Sequence, residues 1–110
     1  MSLRAMLLVF CALAGGSALA GAEDVEVVAS RAGVKPKVLN LRKGETTRLV
    51  LKTADGEHCF AIDALRVEKR VVAGKSTILE LTPDRAGTFP FYCCLEPDVE
   101  ALRGKVVVSE

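Results

Sequence analysis

Past residue 20 the chain divides into short runs rich in β-branched residues, separated by turn signals, and no stretch keeps a helical period for long. The expected strands are Val25 to Ala29, Lys37 to Leu41, Thr46 to Thr53, His58 to Ile62, Arg66 to Val72, Ser76 to Thr82, Gly87 to Cys93 and Lys105 to Ser109. Between them stand Lys43-Gly44-Glu45, Ala54-Asp55-Gly56, Ala73-Gly74-Lys75 and Pro83-Asp84-Arg85-Ala86-Gly87, each with a residue that tolerates or pre-sets turn geometry. Seven to eight strands at this spacing predict an all-β sandwich. Only Asp98 to Leu102, after Pro97, reads as a helical turn.

The first twenty residues are of another kind. Arg4 precedes an unbroken apolar run from Ala5 to Ala14, and Ala18-Leu19-Ala20 offers the small residues a signal peptidase needs. Residues 1–20 are expected to be a cleaved secretory signal peptide, because the run is only about half of what a bilayer-spanning helix requires. Residues 21–110 are then a single domain, exported and periplasmic, with no membrane span. With 15 basic against 14 acidic side chains in the whole chain, nothing marks it for a nucleic-acid backbone.

Three cysteines follow residue 20, Cys59, Cys93 and Cys94, and an odd number cannot all pair within one chain. The only histidine is His58, and both methionines, Met1 and Met6, fall in the signal segment. Period two places His58, Phe60 and Ile62 on one face of their strand and Cys59 and Ala61 on the other. The same rule groups Phe89, Phe91 and Cys93. Cys59 and Cys94 therefore share the parity opposite His58 and Cys93. They form a disulfide if their strands are neighbours, and otherwise stand as free thiols or ligands.

The ordered series His58-x-Phe60, Val67 to Val72, Ala73-Gly74-Lys75, Pro83-x-x-Ala86-Gly87-x-Phe89-x-Phe91-x-Cys93 and Gly104-Lys105-Val106-Val107-Val108 resembles a small cupredoxin. It is similar in particular to the single-domain periplasmic cupredoxins and to the copper domains of cytochrome oxidase subunit II and nitrous oxide reductase. The resemblance implies a Greek-key β-sandwich with copper at one end, between the histidine strand and the loop after the cysteine. His58 takes the place of the first histidine ligand and Cys93 that of the cysteine. The slot of the second histidine falls at Asp98, and that of the methionine at Leu102, two before Gly104. A blue-copper centre needs two imidazoles and a thiolate, usually with a thioether, and this chain cannot assemble one.

The expectation is a non-standard centre of His58, Cys93 and a carboxylate from Glu96 or Asp98, with Cys94 as an alternative sulfur. Thiolate and imidazole suit copper or zinc, and a carboxylate favours zinc or copper(II) over copper(I). Such a protein would serve metal handling or electron transfer with a redox or metal-trafficking partner, and no enzymatic reaction. The plainer readings are a hydrogen-bonded histidine, a cysteine buried as a small hydrophobe and two solvated acids. They correspond to a metal-free module of the same fold, or to a thiol redox protein. No Ser/His/Asp arrangement and no glycine-rich phosphate loop before a helix occurs.

Overall fold

A computed structural model of the chain describes residues 23–110, so the expected signal segment lies outside the described residues. Among the described residues there are nine strands: β1 (Glu23–Ser30), β2 (Gly33–Lys35), β3 (Val38–Arg42), β4 (Thr47–Thr53), β5 (His58–Ile62), β6 (Val67–Val71), β7 (Thr77–Leu81), β8 (Gly87–Phe91) and β9 (Gly104–Ser109). They form a sheet of order β2-β1-β4-β7, a sheet of order β3-β9-β8 and the hairpin β5-β6. Half of the paired neighbours are not consecutive in sequence. The chain crosses between layers, β1 lies parallel to β4 and β3 parallel to β9, while β4 pairs antiparallel with β7 and β8 with β9.

Alternation decides which faces meet. Thr47, Leu49 and Leu51 of β4, Leu79 and Leu81 of β7, Leu39 and Leu41 of β3 and Val106 and Val108 of β9 are buried, while residues between them reach the surface or its margin. All of these but Thr47 join Phe60, Ile62 and Phe91 in one hydrophobic core. Phe60 and Phe91 pack with ring centroids 5.0 Å apart and tilted planes, the geometry aromatic pairs favour. In contrast to the half-buried strands, every residue of β5 is buried. This strand runs through the interior and carries His58 at its start.

Two details depart from the sequence expectation. Strand β2 is added by a tight reversal at Arg31-Ala32, where the Ala32 N–H donates to Ser30 Oγ and the Arg31 N–H to the distant Asp55 carboxylate. Strand β8 stops at Phe91 rather than Cys93, because Tyr92 leaves β9 and exchanges two backbone hydrogen bonds with Ala61, at 3.0 and 3.1 Å. That bridge joins the β3-β9-β8 sheet to the β5-β6 hairpin. The expected helical turn is a short 3-10 segment, Glu100–Leu102. Among the described residues no helix is long and apolar enough to cross a membrane.

Candidate metal centre

The bridge sets the register of the chemistry. Ala61 faces Tyr92, so counting on in antiparallel fashion puts Phe60 level with Cys93 and Cys59 level with Cys94. Cys59 and Cys94, directly opposed with Cα atoms 5.1 Å apart, are joined as a disulfide. Among the described residues Cys93 is the free thiol, 2% exposed, and it turns to the other side of the chain. There its Sγ lies 4.0 Å from Nδ1 of His58, itself 3% exposed.

The opposite edge of the imidazole is fixed. Nε2 of His58 lies 2.8 Å from Oδ1 of Asp55, in the turn that leads into β5. Asp55 Oδ2 accepts the Arg31 N–H at 2.7 Å, and Oδ1 also accepts the Gly56 N–H at 2.7 Å. The Arg31 hydrogen bond, then that of His58, hold the Asp55 carboxyl down to about 2 from its ordinary 3.8. An ionised carboxylate only accepts, so the Nε2 proton points at Asp55 and the Nδ1 lone pair faces Cys93. Such a carboxylate–histidine pair fixes the orientation and tautomer of an imidazole that could bind a metal.

The span between the two donors suits a cation. With a metal–nitrogen bond of about 2.0 Å and a metal–sulfur bond of about 2.3 Å, an ion can touch both across 4.0 Å at an obtuse angle of about 137°. A shift of about 0.5 Å closes it to tetrahedral. Glu96 is placed where it could act as a third donor: the loop after Cys93 turns back through a Glu96 N–H bond to the Cys93 carbonyl at 3.0 Å. The Glu96 carboxylate, the Cys93 sulfur and the His58 nitrogen lie within 4.8 Å of one another. Two donors are buried and the third is exposed.

The remaining expected ligands fall elsewhere. Asp98 is exposed and outside that group, since the chain has passed Pro97, whose carbonyl is clasped by the Arg103 guanidinium at 2.6 and 3.1 Å. Cys94 has its sulfur in the disulfide. Leu102, in the slot of the methionine, is 3% exposed and packs in the core as an apolar residue. Sequence reasoning missed Asp55. Its signal was an Asp-Gly turn three residues before the lone histidine, the placement that lets a side chain reach forward into the strand it introduces.

Removing the Asp55 carboxylate leaves the imidazole free to flip and to change tautomer. Asp55→Ala is expected to weaken metal affinity about 10- to 100-fold in a competitive copper titration. Asp55→Asn, whose amide oxygen still accepts from Nε2, recovers most of the loss. The depressed carboxyl also stabilises the fold. That contribution is complete above the ordinary carboxylate value and is lost as pH falls towards about 2.

A family profile described as a cupredoxin-like domain matches residues 3–108. No curated protein sequence matches the chain. Among solved structures, the metal-binding domain of the Cu(I)-exporting P-type ATPase CopA of Streptococcus pneumoniae, determined with Cu(I), superposes with a TM-score of 0.71 at 18% identity, over 86% of this chain and 92% of that one. The periplasmic domain of cytochrome oxidase subunit II (CoxB) of Bradyrhizobium japonicum gives 0.67 at 14% identity, over 80% and 84% of the two chains. Auracyanin of Roseiflexus castenholzii gives 0.65 at 14% identity, over 82% and 99%. At these identities the likeness is one of fold.

Proposed function

The chain belongs to the cupredoxin-like family, and from that premise we propose that it is an exported, periplasmic copper-handling protein that holds one ion between His58, Cys93 and Glu96. The observation that carries this reading is the buried Nδ1–Sγ pair at 4.0 Å, with the imidazole oriented from behind by an ionised Asp55. An orienting carboxylate of this kind has no role in packing a hydrophobic core. Its effect is to hold the Nδ1 lone pair towards the Cys93 sulfur.

Donor chemistry favours copper handling over electron transfer. Low-barrier electron transfer needs one ligand set that suits both copper states, and here the donor that joins His58 and Cys93 is a hard carboxylate. Because Glu96 is the exposed member, a bound ion would be approached from its side, and a partner protein could replace that carboxylate while His58 and Cys93 still hold the metal. The protein thus carries and passes on a metal and performs no bond-making reaction. Zinc is the competing cation for the same three donors.

Copper loading of the purified chain tests the assignment. One equivalent should bind with a sulfur-to-copper absorption band, weaker than or shifted from that of a blue-copper centre, and His58→Ala combined with Cys93→Ser should abolish both. Equal binding by the double variant would overturn the site. No binding by the parent chain, with its free thiol counted as intact, would leave a metal-free module of this fold.

A further inference from the structure

A second group of donors lies on the other face of the β5-β6 hairpin. Ala61 stands opposite Glu68 and Cys59 opposite Arg70, so Cys59 and Glu68 project from the same side as diagonal neighbours. The Cys59 and Cys94 sulfurs and the Glu68 carboxylate lie within 4.8 Å of one another, and they share no member with the His58–Cys93–Glu96 group. Arg70, which would otherwise compete for Glu68, is paired with Glu57 at 2.9 Å. As found, both sulfurs are spent in their mutual bond.

We propose that reduction of the Cys59–Cys94 disulfide by a protein dithiol turns this face into a second metal site, in which two thiolates and the Glu68 carboxylate bind zinc(II). In the first step an incoming thiolate attacks Cys94, the half-buried sulfur, because Cys59 is only 5% exposed. A bond forms between the reductant and Cys94, and the electron pair of the broken bond leaves on Cys59. The reductant's second thiol then attacks the mixed disulfide and releases Cys94 as a thiolate. Two electrons pass to the protein, and the reductant leaves as a disulfide.

Geometry permits the metal without rebuilding the backbone. Two thiolates on one tetrahedral zinc lie about 3.8 Å apart, given bonds of about 2.3 Å. Cα atoms 5.1 Å apart reach that separation by rotation about the side-chain bonds alone. Glu68 is exposed, so the fourth position is open to water or to an incoming ligand. The inference does not depend on the copper assignment, because it uses none of the same donors.

Zinc(II) alone is the probe, added to the full chain in its disulfide form and after reduction and removal of the reductant without air. Reduction should raise the zinc stoichiometry of the parent chain by one equivalent. In Cys93→Ser, which cripples the first centre, the reduced form should take the same additional ion and protect two thiols from alkylation. Glu68→Ala should weaken that ion on the order of tenfold with the thiol count unchanged. An unchanged stoichiometry in a reduced parent chain with Cys59, Cys93 and Cys94 all free would overturn the proposal. So would one ion protecting all three thiols, since that describes a single shared site. If Cys93→Ser fails to fold, the increment in the parent chain decides. Copper binding by the disulfide form decides the His58–Cys93 reading separately.

Discussion

Opening the Cys59–Cys94 disulfide is expected to lower the free energy of unfolding by about 4 kcal/mol, the loop-closure entropy for a bridge between residues 35 apart. That is a large share of what a domain of this size has, because small domains bury a modest fraction of their surface and stand only about 5–15 kcal/mol above the unfolded state. The bridge ties β5 to the loop after β8 where only one backbone bridge, Ala61 to Tyr92, otherwise joins them. Urea unfolding before and after reduction measures the difference, read from the midpoint with the m-value checked for a change in the unfolded state. A loss below about 1 kcal/mol would mean that packing alone holds the two segments together. If zinc occupies the reduced face as proposed, adding it to the reduced chain recovers part of the loss by mass action.

Phe91→Ala is expected to cost about 3–5 kcal/mol. The side chain is 1% exposed, contacts Phe60 with centroids 5.0 Å apart and fills the space beside Gly104, where any Cβ would run into the Phe91 ring and the Lys37 carbonyl. Gly104 is therefore glycine for want of room. Truncating the ring leaves a cavity between β8, β9 and β5 that a close-packed interior cannot fully close. Phe91→Leu, which keeps most of the volume, should cost less than half as much. Equal losses in the two variants would point to the aromatic contact rather than the cavity. Since Phe91 precedes Cys93 by two residues, metal affinity should fall in Phe91→Ala as well, from a displaced thiol in a protein that still folds.

Local pattern was sufficient for the strands whose two faces differ. Thr47 to Thr53 and Lys105 to Ser109 alternate because one side meets the core and the other meets solvent or its margin. Strand β2 was not legible: three residues carry little pattern, and the reversal before it is anchored by Asp55, 24 residues away from Arg31. The premature end of β8 has the same cause, a bridge to a strand 31 positions earlier that no local propensity encodes. His58 and Cys93 could be picked out as a pair by their order along the chain and their parity. Parity also set Cys59 and Cys94 apart from them, yet only the bridge shows that those two face each other. Asp55 escaped because a carboxylate in an Asp-Gly turn has a sufficient local explanation, and its second partner exists only once the strand has folded.

The Ala61–Tyr92 bridge divides labour within the centre. One rung of ladder, counted out by one residue to Cys93 and by three to His58, fixes how far apart the nitrogen and the sulfur stand, so that distance is inherited from the sheet. Glu96 belongs to the turn beyond it, bound by no strand. Substitutions and length changes in residues 95–98 can therefore exchange the third donor, and with it the preferred cation, while the buried pair keeps its gauge. On the proposed reading, metal preference is interchangeable at the rim, and the place where a metal would bind is not.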